Sequence, residues 1–414
     1  MRRVATMLSL VLILTGRYVA MAQWAPKEFP ISFWCGPPPQ FVSPERFKQI
    51  AAAGFNLAMP ACEGPHTPEV NLRILDACKA AGIKAFVMDE RMPLRISGDP
   101  SAKERLDAIV KDYAHHPALA GYFLTDEPGA NAFEGLGEVV QYLQQKDPKH
   151  PAYINLFPNY ASPQQLEAAT YDEYLNRFIR TVHPFVVSYD HYHFLKGGDR
   201  PGFFANLDAV REAAQEAGLP FWQIVLAVPH LDYRPLTEAE KRWEAMHTLV
   251  YGGKGLMYFT YWTPTGNASE WGPAIIAHDG TPTPQYDEVR RINADVHVLG
   301  RYLLNAVFVT AFQNGPLSPG GHKREPGTPV AFQDEAEVTA GVFRADTHLY
   351  ALLVNRNYRS AVTTQALFSC GSHRVEHLDR RTGKWIDVKG TRTAEGDLRV
   401  EVPLAPGDGE LYRW

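Results

Sequence analysis

The chain has 414 residues, which at about 150 residues per domain allows two or three domains, or one large barrel with an accessory module. With 45% hydrophobic residues, 21% charged residues and 32 each of Gly and Pro, it reads as a globular, loop-rich protein, which excludes wholesale disorder, collagen and coiled coil. The net charge of −5 supplies no large basic field to hold a phosphate backbone, so nucleic acid is not an expected partner.

The chain opens with Arg2 and Arg3, an apolar run over 4–16, and then Ala20-Met21-Ala22 before Gln23. That is the order of a secretory signal, with cleavage expected after Ala22. The run is about 13 residues long and Arg17 ends it, short of the roughly 20 that a spanning helix needs, so no stable membrane insertion is expected. The mature protein is expected to be secreted or periplasmic. Four cysteines, Cys35, Cys62, Cys78 and Cys370, form no C-x-x-C pair and no Cys/His cluster at zinc spacing, so neither a metal nor another cofactor is expected. Cys35 and Cys62 fall near the ends of neighbouring predicted strands. A bridge between them and two buried thiols are both open readings.

From residue 30 onward short apolar runs alternate with stretches of helical periodicity. The predicted strands are 30–36, 56–61, 84–90, 119–127, 152–158, 185–192, 220–228 and 255–262, starting 26 to 35 residues apart. The predicted helices are 44–53, 68–81, 102–114, 133–146, 164–181, 203–217, 237–251 and 284–303. Gly54, Gly82 and Gly218 each stand just past a helix and before an apolar run, where Gly supplies a left-handed cap. Strands alternating with helices in units of about 30 residues imply parallel pairing, and eight units fit a closed (β/α)8 TIM barrel. No G-x-G-x-x-G follows the first strand, which removes the main support for a dinucleotide fold.

Beyond residue 304 the period changes to short alternating runs at 338–343, 348–355, 361–368, 374–378 and 398–402, the pattern of a small all-β sandwich. The expected organisation is a signal at 1–22, an α/β barrel at 23–303 and a β-sandwich at 304–414.

Chemistry in such a barrel belongs at the C-terminal ends of the strands. Strand-end carboxylates are Glu63, Asp89, Glu90, Asp126, Glu127 and Asp190, with Asp232 and Glu270 in later loops. Glu127 stands out because Pro128 stops the strand directly after it. Successive strand residues alternate sides, so Asp126 and Glu127 are not both expected to face the barrel axis. A carboxyl desolvated there beside a like charge holds its proton towards neutral pH and can protonate a leaving oxygen.

The run Gly121-Tyr122-Phe123-Leu124-Thr125-Asp126-Glu127-Pro128 at strand 4, the aromatic run 258–264 at strand 8 and the C-terminal sandwich resemble the clan A glycoside hydrolases, which include β-galactosidases and cellulases. The resemblance covers the architecture from about residue 24 to 414, with recognisable motifs in strands 4 and 8 alone. It implies that Glu127 is the acid/base, here preceded by Asp126 instead of the clan's usual Asn. It also implies that Trp262, with Tyr258 or Tyr261, forms an aromatic floor under a carbohydrate substrate.

The clan's nucleophile is a Glu ending strand 7. This chain has Gln223-Ile224-Val225-Leu226-Ala227-Val228-Pro229-His230 there, with no acid. Asp190 is the expected second carboxylate, followed by Glu270. Tyr192, His193, His230 and Asn155 are expected to contact sugar hydroxyls. The resulting expectation is a glycoside hydrolase using carboxylate acid/base catalysis. The alternative is a carbohydrate-binding protein on the same scaffold, and other hydrolase or lyase chemistry is a third reading.

Overall fold

The computed structural model describes residues 25–266 and 270–414, so the signal expected at 1–22 lies outside the described residues. Eight strands form the first sheet: β1 (Ile31–Phe33), β2 (Leu57–Ala58), β3 (Lys84–Val87), β4 (Leu119–Asp126), β5 (Ala152–Leu156), β6 (Val187–Asp190), β7 (Phe221–Leu226) and β8 (Leu256–Phe259). Their order is β1-β8-β7-β6-β5-β4-β3-β2, and every pair is parallel. The intervening helices are α1 (Pro44–Ala52), α2 (Pro68–Ala81), α3 (Ala102–Tyr113), α4 (Phe133–Lys146), α5 (Tyr171–Val182), α6 (Phe203–Glu216), α7 (Glu238–Val250) and α8 (Pro284–Leu303).

The local signals act as the sequence suggests. Ser43, Thr67, Thr170 and Thr237 accept the N3 backbone N–H of α1, α2, α5 and α7, satisfying donors that have no intrahelical partner. Gly54, Gly82 and Gly218 take φ of 82°, 73° and 68°, as the helix-to-strand junctions require.

The sheet closes between β1 and β2 by a few specific contacts. Asn56 Oδ1 accepts from Ile31 N at 2.9 Å, Asn56 N donates to Ile31 O at 3.2 Å, and Gly36 N donates to Pro60 O at 2.9 Å. A Cβ on residue 36 would lie 2.4 Å from Met59 O, so this close approach demands glycine. Beside it Cys35 and Cys62 form a disulfide with Cα atoms 4.6 Å apart, resolving the reading that the sequence left open. Cys78 and Cys370 are free and buried. The bridge ties residues 27 apart, a loop for which chain entropy gives roughly 3 kcal/mol. Replacing both cysteines by Ser is therefore expected to lower unfolding stability by about 3 kcal/mol in urea titration; an unchanged midpoint would place the seam's strength in its hydrogen bonds.

Two apolar layers follow from strand alternation. Trp34, Phe86, Phe123, Tyr153, Trp222 and Met257 fill the barrel interior. Outward residues such as Phe33, Tyr122, Ile154, Tyr189 and Tyr258 pack against the helices. The helical Tyr113 and Trp243 are packing residues, at 0% and 3% exposure.

The C-terminal strands are β9 (Val307–Gln313), β10 (Val330–Phe332), β11 (Val338–Ala345), β12 (His348–Asn355), β13 (Val362–Phe368), β14 (Glu376–Asp379), β15 (Lys384–Asp387), β16 (Thr391–Arg392), β17 (Leu398–Leu404) and β18 (Gly409–Arg413). They form a six-stranded sheet, β9-β11-β12-β18-β14-β15, and a four-stranded sheet, β10-β13-β17-β16, around their own core of Phe312, Val342, Leu353, Phe368 and Val402. The six-stranded sheet packs on α7. Trp243 Nε1 donates to Arg356 O at 2.9 Å, and a Cβ at Gly341 would lie 2.2 Å from Val250 O. Among the described residues no helix is long and apolar enough to cross a membrane.

Candidate active site

The C-terminal mouth is organised by the end of β4. Its register against β5 shifts between Phe123 and Thr125, a bulge that re-aims the residues after it. Glu127 then takes φ of 44°, a left-handed conformation that non-glycine residues rarely adopt, while its N–H donates to Asn155 O at 2.9 Å. Such a backbone costs about 1 to 3 kcal/mol and persists where surrounding structure imposes it, commonly at functional sites.

This turn corrects the expectation that Asp126 and Glu127 diverge. Alternation of sides holds for extended residues, and Glu127 is not extended. Both carboxyls converge on β5 and β6. Asn155 Nδ2 donates to Asp126 Oδ1 at 3.1 Å and to Asp190 Oδ1 at 3.0 Å, and the Glu127 carboxyl hydrogen-bonds that of Asp190. Asn155 Oδ1 accepts from Ser188 Oγ at 3.3 Å, and Ser188 lies 2.7 Å from Tyr153 OH, so the amide is turned with its donors towards the acids.

The geometry also corrects the expectation that Asp190 faces Glu127 across a substrate. Hydrogen-bonded carboxyls are nearer than the roughly 5 to 5.5 Å that brackets a glycosidic bond in retaining enzymes, leaving no room for the bond between them.

Three acids in one place cannot all ionise freely. Burial pushes Asp190 well above the usual carboxylate range, and the charges of Glu127 and Asp126 add to that. Glu127, half-buried, is pushed up to about 7, first by desolvation and then by Asp126, against a hydrogen bond from Asp190. Asp126 is raised to about 6 by desolvation, opposed by the Asn155 amide. The Asp126 carboxyl is open to water at the mouth, which tempers its desolvation.

All three groups bind protons more tightly folded than unfolded. Their contribution to stability is thus present below about pH 4 and is lost as pH rises through 6 to 7 and beyond. Glu127→Gln should make the protein more stable at pH 8 by on the order of 1 kcal/mol, a figure discounted for solvent access, with little gain at pH 4. Thermal unfolding at the two pH values checks this.

Two walls flank the acids. Towards β1–β4 a cavity of about 390 Å³ is lined by Trp34, Met59, His66, Met88, Phe123 and Asp126, among others. Towards β5–β8 stand Tyr160, Tyr192, Arg200, His230, Tyr233 and Trp271. Tyr192 stacks on Phe259 with ring centroids 5.4 Å apart, and His230 stacks on Trp271 at 4.7 Å with its Nδ1 2.9 Å from Val228 O.

Several expected contacts lie elsewhere. Tyr258 is fully buried on the outer face of β8, its hydroxyl donating to Asn293 Oδ1 at 2.9 Å; Met257 and Phe259 are the inward residues of that strand. Trp262 is 3% exposed beneath Phe41 and Arg46, at 4.7 and 5.2 Å, so it is not a sugar floor. His193 stacks on Trp243 at 4.9 Å in a second cavity, of about 250 Å³, between barrel and sandwich, and Arg200 stands between this cavity and the mouth, lining the one and meeting Tyr160 at the other. Glu270 is exposed in the loop after β8, outside the Asn155 network.

Other strand-end acids have structural partners. Asp89 accepts from Arg91 Nε at 2.8 Å and from Tyr113 OH at 2.5 Å, and Glu63 accepts from Thr265 N and Oγ1. The inward residues of β7 are Trp222, Ile224 and Leu226, so that strand brings no acid to the mouth. No cluster of three or more His, Cys, Asp or Glu arranged to hold a metal occurs among the described residues.

The fold has many known counterparts. The chain is similar to a family 42 β-galactosidase from G. stearothermophilus, solved as a catalytic mutant, at 9% identity, covering 94% of this chain and 98% of that one with a TM-score of 0.61. It is also similar to a family 5 glycoside hydrolase from Bacteroides vulgatus at 12% identity, over 93% and 88% of the two chains, with a TM-score of 0.57. A cold-adapted β-galactosidase from Rahnella sp. R3 matches at 13% identity and a TM-score of 0.51 over 68% of this chain; there the chain spans 57% of its relative's length. No family model matches the sequence, and no curated protein matches it. The fold shared with these structures is a (β/α)8 barrel followed by β-sheets. At these identities the likeness speaks for architecture, and the chemistry has to be argued from the side chains.

Proposed function

We propose that the protein is a glycoside hydrolase whose proton donor is Glu127. The observation that carries this reading is the convergence of Asp126, Glu127 and Asp190 on the Asn155 amide at the C-terminal mouth of the barrel. Glu127, raised to about 7, retains a proton near neutrality and releases it to the glycosidic oxygen as the bond to the anomeric carbon breaks; a water then bonds to that carbon and gives its proton to the Glu127 carboxylate, which restores the acid. Asp126, water-accessible and held by Asn155, supplies negative charge to the sugar ring as positive charge develops there. Asp190, buried and protonated, donates to Glu127 and fixes its orientation; it acts as a positioning residue.

Substrate is a poly- or oligosaccharide, one unit entering the cavity beside Trp34 and Phe123 and the next lying against the tyrosine wall. Export to an oxidising compartment is part of the same proposal, supported by the signal-like residues 1–22 and by the Cys35–Cys62 bridge. A glycan panel assayed for released reducing ends tests the activity. The acid-free inner face of β7 favours one competing reading, a carbohydrate-binding protein without turnover. That reading predicts binding to a glycan with no released sugar from either wild type or Glu127→Gln.

A further inference from the structure

We infer that Arg200, with Tyr160 and Tyr233, forms a subsite for an acidic sugar and holds the oxyanion of its carboxylate or sulfate group. The inference rests on the glycan-processing reading and adds a substrate class to it. Arg200 follows a small hairpin, Phe194–Leu195 with Gly198–Asp199, that rises from the end of β6. Its guanidinium lies 3.9 Å from the ring centroid of Tyr160, in the loop after β5, and 5.7 Å from that of Tyr233, in the loop after β7. The Tyr160 ring also meets that of His191, the residue after Asp190, at 5.1 Å, which places this wall beside the acids.

The fork is fixed by protein and yet incompletely used. Nε donates to Tyr192 O at 3.2 Å and Nη2 donates to Tyr233 OH at 3.2 Å. Nη1 has no protein acceptor among the described residues and is not among their buried unpartnered atoms. Nor does Arg200 have a carboxylate within ion-pair reach among the described residues, although the adjacent cation and acid are both engaged. Arg234 pairs with Glu240 at 2.7 Å, and Asp199 takes Tyr358 and, at 3.8 Å, both Arg234 and His193.

A guanidinium seated against the Tyr160 ring, with Nη1 left without a protein acceptor among the described residues, is suited to a carboxylate or sulfate, which an arginine fork meets with two parallel hydrogen bonds. Of the nearby acids, Asp190 and Glu127 oppose an anion least, because burial holds both carboxyls above their usual range; Asp126 retains its charge, and that of Asp199 is offset by Arg234 at 3.8 Å. The tyrosine rings meanwhile offer flat faces to a sugar ring.

The test is equilibrium binding to the full chain at pH 6 by calorimetry. The probes are oligosaccharides containing glucuronate, galacturonate or mannuronate, each beside its carboxyl-reduced counterpart, together with sulfated galactan oligosaccharides. Wild type is expected to bind at least one acidic probe about tenfold or more tightly than its neutral counterpart. The preference is expected to vanish in Arg200→Gln and to persist in part in Arg200→Lys, which keeps the charge and loses the fork. A preference confined to the sulfated probes assigns the oxyanion to sulfate, and one confined to the uronates assigns it to carboxylate. Equal affinity for acidic and neutral probes, no binding of any, or a preference that survives in Arg200→Gln overturns the inference. The comparison made on wild type does not depend on how the variants fold. Turnover of neutral glycans without an acidic preference would sink this subsite and leave the hydrolase reading standing; a preference without turnover would do the reverse.

Discussion

Glu127→Gln is expected to lower kcat on a natural glycan by about 10² to 10⁴-fold, the range supplied by a positioned general acid, while substrate affinity changes little. The amide keeps the size of the side chain and its place at the left-handed turn before Pro128, but it has no proton to give. A loss in KM with kcat preserved would instead mark Glu127 as a binding group, so the two parameters have to be measured separately. The wild-type pH profile carries the same information. The basic limb should fall tenfold per unit above about 7, where Glu127 loses its proton, and the acidic limb should set in below about 6 as Asp126 gains one.

Asn155→Ala should have the second largest effect, a fall in kcat/KM of about 10²-fold. One amide nitrogen serves Asp126 and Asp190 together, at 3.1 and 3.0 Å, and at Asp126 the backbone N–H of Glu127 assists it. Its bond to Asp126 favours the ionised carboxylate. Removing it therefore raises the Asp126 pKa and moves the acidic limb of the profile upward. A structural role alone would reduce the amount of folded protein and leave the limbs where they were. Asn155→Asp tests the same point from the other side, because a fourth acid in contact with Asp126 and Asp190 should move the limbs further still.

The barrel was legible because its signal is periodic. Eight apolar runs, each followed by a helical stretch, report parallel strands with crossovers whatever the side chains at the mouth are, and Gly54, Gly82 and Gly218 mark the junctions by a conformation few other residues adopt. The site was legible only in part. Asp126, Glu127, Asp190 and Asn155 stand at strand ends, where position alone gives them a role. How they meet depends on the left-handed turn at Glu127, and nothing in Thr-Asp-Glu-Pro announces that turn, since a proline usually holds the preceding residue extended.

The aromatic run of β8 misled for a simpler reason. Parity along the strand sends Met257 and Phe259 inward and Tyr258 outward to Asn293, so the count of aromatics says less than their alternation. Tyr160, Arg200 and Tyr233 belong to three loops that only the closed ring of strands brings together. The one local sign of them is the polar, glycine-containing stretch after β6 that builds the hairpin.

Whether Glu127 hands a proton to the departing oxygen is read from a series of aryl glycosides of increasing leaving-group acidity. Glu127→Gln should show a steep rise in kcat/KM along the series, reaching the wild-type rate when the aryl oxide leaves without help, while wild type stays nearly flat. Parallel slopes for the two proteins, with the variant slowed equally on every leaving group, would contradict that proton transfer.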